Sequence, residues 1–393
     1  MIFSYALRLS HASVASTSTR IDFLRISLIL ALVFLHYGAV VGSGISPFDG
    51  YVGQDYPIAT ITISYVLFFA FAAVPLLSAI SGFLFFRSAH SGARPDFSKL
   101  WRKRLQSIVL PFLLWSGGYV AAAYLVYLVQ PDTFAKLFSS EAGATPLTLL
   151  DAAFALTDTP FAIQFWFLRD LIVTMALAPL VWLAVTRIPL LWLGLLTLSW
   201  LTEQTFGIFL RIDIFMFFNL GAMIAIHRLD PTRLDRWALP LFLGFLAIVG
   251  LRTVAPSLIG AEHERTLELM SALLRLLGVM ALWSIAGHLA ITRMGNLLRR
   301  HSSMAFFIFC AHYPLIIYVK KGLANLAPPS GEFGLLLNYF ASIGLTLGLI
   351  WVAATLLNLW MPKVYAILNG GREILQKDLA AQKYSASAPP VMD

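Results

Sequence analysis

The sequence predicts an all-α bundle of about ten transmembrane helices with both termini in the cytoplasm, and three observations predict it. The chain is 59% hydrophobic and only 12% charged, with a mean hydropathy of +0.79. A soluble domain carries about a quarter charged residues, so lipid-facing surface replaces the missing charge. The apolar residues come in long unbroken runs, enough for helices to cross roughly 30 Å of hydrocarbon. Lys and Arg then gather in alternate segments between those runs.

The runs fall at roughly 21–41, 59–86, 105–129, 165–186, 189–206, 208–226, 238–256, 266–291, 304–319 and 334–361. Hydrocarbon demands that backbone groups be satisfied within the element, so runs of this length read as helices rather than barrel strands. The first run has no convincing small-residue cleavage site and leads into more spans, so it reads as retained. Pro75 marks the second for a kink or strong tilt. With the N-terminus inside, the cytoplasmic segments hold Arg87, Arg102, Lys103, Arg104, Arg228, Arg233, Arg299, Arg300 and Arg372, among others. The opposite segments hold few basic residues, Lys136, Arg252, Arg265, Lys320 and Lys321, and many acidic ones, from Asp49 to Glu264. The net charge of +8 is thus topological and calls for no nucleic acid.

Residues 1–20 and 362–393 read as cytoplasmic tails, the Ser- and Ala-rich extremes as mobile, flanking one transmembrane domain over 21–361. Pro146 to Thr157 reads as a short helix along the interface. Cys310, the only cysteine, sits in an apolar run, which excludes an intrachain disulfide and a cysteine zinc site. Glu262, His263 and Glu264 are adjacent rather than at ligand spacing, so a solvated loop fits them better than a metal site.

Ionisable groups inside a span are expensive and so mark function. Arg25 and His36 are eleven residues apart, which returns a helix to nearly the same azimuth and separates them by about 16 Å of rise. The structural alternative has Arg25 snorkelling and pairing with Asp22 and His36 as a hydrogen-bonded interior histidine. His312, before Tyr313 and Pro314, is read either as satisfying a carbonyl freed by the proline or as a substrate contact or orienting group. Arg169 and Asp170 are either a local ion pair or a device that orients an acceptor or the histidine. Glu203, Arg211 and Asp213 read as a loop-end ion network.

Several short patterns occur in a fixed order. Ile21-Asp22-Phe23-Leu24-Arg25 precedes His36. Ser81-Gly82-Phe83-Leu84 closes the second run, and Arg102-Lys103-Arg104 leads to Pro111. Trp166-Phe167-Leu168 opens a middle run, and His312-Tyr313-Pro314 lies in a late one. In these patterns, from about residue 20 to 360, the chain resembles the large membrane acyltransferase 3 family. Where that family often repeats a basic residue about four before the proline, this chain has Ser107. The resemblance implies a multi-pass protein of the bacterial inner membrane. It also implies an O-acyltransferase that moves an acyl group, acetyl or succinyl, from cytoplasmic acyl-CoA to a hydroxyl of an extracytoplasmic or lipid-linked glycan. Acetyl-CoA or succinyl-CoA would be a substrate, with no permanently bound cofactor, and the partners would be the donor, the glycan and membrane lipids.

On that reading His36 is the general base, because a hydroxyl is a poor nucleophile until a neutral imidazole takes its proton, and His312 is the second catalytic candidate. Arg25, Arg102 and Arg104 would pair with CoA phosphates, while Trp166, Arg169 and Asp170 would meet the acceptor, the indole stacking on a sugar ring. A transporter or flippase is the alternative, since intramembrane Arg and His also line transport paths; the lack of a repeat between the halves counts against it. A polysaccharide polymerase would show an external loop rich in Arg and His, and the segment 130–164 does not.

Overall fold

The computed structural model describes residues 15–39, 46–88, 94–133, 145–157 and 159–372, all of them helix, turn or loop with no strand. The helices are α1 Thr17–Leu35, α2 Pro57–Ala70, α3 Ala73–Phe86, α4 Phe97–Val129, α5 Pro146–Phe154, α6 Trp166–Ala176, α7 Ala178–Arg187, α8 Pro189–Leu201 and α9 Ile212–Ile226. They continue as α10 Ala238–Ile259, α11 Glu264–Leu289, α12 Arg293–Arg300, α13 Ala305–Leu326, α14 Gly331–Trp360 and α15 Pro362–Leu368.

Every apolar run is helical, but the count of ten spans is not reached by length and composition. Among the described residues, six helical stretches are long and apolar enough to cross a membrane, and a seventh if α6 and α7, bent by 64°, form one span; α1, with Arg20, Asp22 and Arg25 in its 19 residues, is not among them. α8 and α9, at 13 and 15 residues, fall short, since about 1.5 Å per residue leaves them well below roughly 30 Å. α9 is buried along most of its length among α3, α6, α7 and α8, so protein rather than lipid surrounds it. Its closest neighbour is α3. A methyl added at Gly82 would overlap the Phe218 carbonyl, and one added at Gly221 the Ala79 carbonyl. Small residues let the two backbones touch, as packing in an apolar medium requires.

Described structure continues on both sides of residues 21–361. α1 begins at Thr17, where Ser16 caps it. Fully buried Arg20 donates from both terminal nitrogens to Asp235, at 2.7 Å each, and lies over the Trp283 ring. At the other end α15 folds against α4, and buried Asn369 accepts from Phe307 N and donates to the Ser303 carbonyl. Residues 1–14 and 373–393, which hold most of the expected tails, lie outside the described residues, as do Lys136 and Glu141.

Two charges read as external loop are in fact buried in helices. Arg252 donates to the Leu267 carbonyl and Ser271 Oγ, and Lys320 to the carbonyls of Tyr37 and Ala39. Each finds acceptors that hydrocarbon would not supply, which is what permits its burial.

Candidate active site

α1 and α13 pack against each other and carry the two histidines. His36 follows the last residue of α1, and its backbone N–H closes the helix on Leu32 O at 3.1 Å. Its Nδ1 donates to Leu32 O at 2.8 Å. His312 lies one residue before the break in α13 at Tyr313, whose backbone (φ −117°, ψ 135°) leaves the helix ahead of Pro314. Its Nδ1 donates to Phe309 O at 2.8 Å, and its Nε2 is 3.2 Å from His36 Nδ1.

A carbonyl oxygen only accepts, so both Nδ1 atoms carry their ring protons. The His36 Nδ1 proton is therefore shared between Leu32 O and the lone pair of His312 Nε2. That fixes the His36 tautomer and leaves its Nε2 unprotonated, and no described residue bonds it. His312 is fully buried and His36 half-buried, so the free nitrogen belongs to the more accessible ring.

The surroundings hold this geometry. Pro314 has no N–H for the Cys310 carbonyl; buried Gln164 donates to it at 3.0 Å and to the Tyr313 carbonyl at 2.7 Å, and Tyr119 donates to the first as well. The proline-freed carbonyl is thus met by Gln164 and Tyr119, not by His312. Beyond His36, Lys320 Nζ donates to Tyr37 O at 2.6 Å, and Tyr37 Oη donates to Asn338 of α14 at 3.0 Å.

The same two helices wall a cavity of about 120 Å³, with Arg25 and Ile29 from α1 and Phe306 and Phe309 from α13. Arg104 and Arg372 complete a trio of arginines around it. Arg104 also lines an adjoining, wider cavity of about 690 Å³ together with Arg87, Lys103 and Gly370. Arg25 keeps a loose contact to Asp22 at 3.7 Å. Among the described residues no carboxylate pairs with Arg104 or Arg372. Burial, together with the charges of Arg25 and Arg104, pulls the Arg372 guanidinium down to about 10, so at neutral pH the trio carries three concentrated positive charges. Arg102 is exposed and outside both linings.

Arg372 is the residue that sequence reasoning missed. After α15, Gly370 N donates to Ile367 O and Gly371 N to Ala366 O, with φ of +67° and +78°. This left-handed closing turn favours glycine. A side chain at Gly370 would also overlap the carbonyl of Ser107. The turn swings Arg372 back into the bundle, where Nη1 donates to Asn369 O at 3.0 Å.

The acceptor candidates separate. Buried Asp170 accepts from Arg169 Nη1 at 2.8 Å, Leu210 N at 3.1 Å and Arg211 N at 2.7 Å. Arg169 also donates to the carbonyls of Ala155 and Ile208. The pair therefore clasps the segment before α9 onto α6. Trp166, half-buried, carries the Arg211 guanidinium 5.2 Å from its ring centroid.

An acyltransferase-domain family model matches residues 18–355. The chain is also 32% identical over 388 residues to the succinoglycan biosynthesis protein ExoH of Rhizobium meliloti (strain 1021), covering 96% of each chain. No solved structure matches it.

Proposed function

Since the chain belongs to this acyltransferase family, the acyltransferase 3 proteins, we propose that it transfers an acyl group from cytoplasmic acyl-CoA to a hydroxyl of an extracytoplasmic or lipid-linked glycan. The observation that carries this reading is one pair of helices with an arginine-ringed cavity at one end and two bonded histidines at the other. Arg25, Arg104 and Arg372 hold the donor's phosphates, since guanidinium groups meet phosphate with paired hydrogen bonds. The pantetheine arm runs along the cavity past Phe309 toward His36. As the sugar oxygen attacks the thioester carbonyl, His36 Nε2 takes its proton. The tetrahedral intermediate then collapses, the carbon–sulfur bond breaks, and the leaving thiolate takes that proton back. His312, by accepting from His36 Nδ1, orients the ring and spreads the charge of the transient imidazolium.

The acyl group is acetyl or succinyl. The similar Rhizobium protein, named for succinoglycan biosynthesis, supports a surface polysaccharide as the acceptor. Mass spectrometry of surface glycans from cells with and without the gene tests this directly. The gene should add the mass of one acyl group per modified sugar. Equal masses, with glycan precursors accumulating inside the cell, would make the protein a transporter instead.

The same reading puts both termini in the cytoplasm and lets α8 and α9 serve as short spans shielded by their neighbours, in an inner-membrane protein of ten spans. The transferase unit takes in 21–361 and, on this reading, continues through the closing turn to Arg372. A reporter fused at Ser330, between α13 and α14, should report the outside and one after Asp393 the cytoplasm; the reverse pattern would invert the donor side.

A further inference from the structure

A third cavity, of about 350 Å³, lies between α8, the start of α9 and α11. The geometry points to this cavity as the binding site for the acceptor's sugar rings, an inference that rests on the acyltransferase reading above. It takes charged side chains in equal numbers, arginines Arg211, Arg265 and Arg275 against carboxylates Glu203, Asp213 and Glu268. Balanced charge of this kind suits a neutral polyhydroxyl ligand better than a phosphate, which would leave the carboxylates opposed.

Arg265 pairs with Glu268 at 3.4 Å and donates to the Leu201 carbonyl, but the other polar groups are only partly consumed. Asp213 is 3% exposed, its Oδ2 meets Arg211 only at 3.5 Å, and its Oδ1 has no hydrogen-bond partner. A buried carboxylate oxygen left unsatisfied is costly. Among the described residues neither Arg275 nor Glu203 forms an ion pair or side-chain hydrogen bond; the Arg275 guanidinium lies 5.2 Å from the Phe71 ring centroid. Asp213 on α9 and Arg275 on α11 thus bring an acceptor and a donor to the same cavity without bonding each other. A sugar hydroxyl fits between such groups, donating to the carboxylate while accepting from the guanidinium. Buried Trp200 adds an aromatic wall for the apolar face of a pyranose.

The cavity also connects to the histidines through contacts already described. Gln164 bonds the carbonyls on either side of His312, and Trp166, two residues on, packs under Arg211. The clasp of Arg169 and Asp170 holds the segment that carries Arg211. These residues therefore serve the acceptor by shaping its site, while Asp213 and Arg275 touch it. The loops that build the cavity lie on the outer side in the proposed topology, opposite the arginine trio.

The test uses the purified full chain in lipid nanodiscs, acetyl-CoA and succinyl-CoA as donors, and unmodified surface glycan from cells lacking the gene. Asp213→Asn and Arg275→Gln should each raise the KM for the glycan about tenfold or more, with CoA affinity by calorimetry as in the parent. Arg275→Gln carries the test if the buried Asp213 variant does not fold. Parental glycan KM in the folded variants, or a fall in kcat alone, overturns the acceptor site. No transfer to glycan by the unaltered chain overturns the acyltransfer reading instead.

Discussion

Replacing His36 by Gln lowers acyl transfer on the order of 10²–10⁴-fold while the protein still inserts and binds acyl-CoA. Gln keeps a polar group able to donate to the Leu32 carbonyl, as His36 Nδ1 does, but it takes no proton at neutral pH. A histidine that only satisfied the end of α1 would tolerate this change with most activity intact. The tautomer sharpens the expectation. Because both Nδ1 atoms donate to backbone carbonyls, the nitrogen free for a substrate proton is His36 Nε2. His312→Gln should lower kcat less, since its side chain acts through His36. Steady-state transfer to purified glycan measures both, and near-parental turnover by His36→Gln removes that residue from the mechanism.

The second large effect falls on the donor. Arg104→Ala and Arg372→Ala should each weaken CoA binding about ten- to a hundredfold, the loss of about 1.5–3 kcal/mol for a charged hydrogen bond. The double variant should lose less or more than the product, because the two charges share one cavity and couple. Arg102→Ala, on an exposed side chain outside the cavity, should bind as the parent does. Calorimetry on the detergent-solubilised protein, with 3′-dephospho-CoA as a second titrant, reads the phosphate contribution. Parental affinity in Arg372→Ala would return that residue to a structural role in the closing turn.

Much of the fold is legible in the sequence because hydrocarbon enforces length and helicity, and all ten apolar runs emerge as helices. The number of spans is less legible. Hydropathy alone does not reveal that α9 is sheathed by other helices, and a sheathed helix need not match the bilayer. The pairing of His36 with His312 involves two residues that the patterns single out separately, but their contact depends on the packing of α1 against α13. Arg169 and Asp170 are conspicuous as intramembrane charges, yet whether such a pair faces a ligand or a backbone segment depends on the path of residues 208–211. Ser107 is the most instructive position. The resembled family often has a basic residue there, and this chain does not; the turn that carries Arg372, from beyond the last long helix, packs Gly370 against the Ser107 carbonyl. No local periodicity in the sequence announces such an exchange, apart from the two consecutive glycines that make the turn possible.

The turn at Gly370 and Gly371 also has a temporal meaning. All the long helices after α1 lie between Arg25 and Arg372 in the chain, so the cavity the two share has its third cation only after those helices have been made. A nascent chain stalled between α14 and that turn would carry both histidines yet lack the third arginine of the cavity.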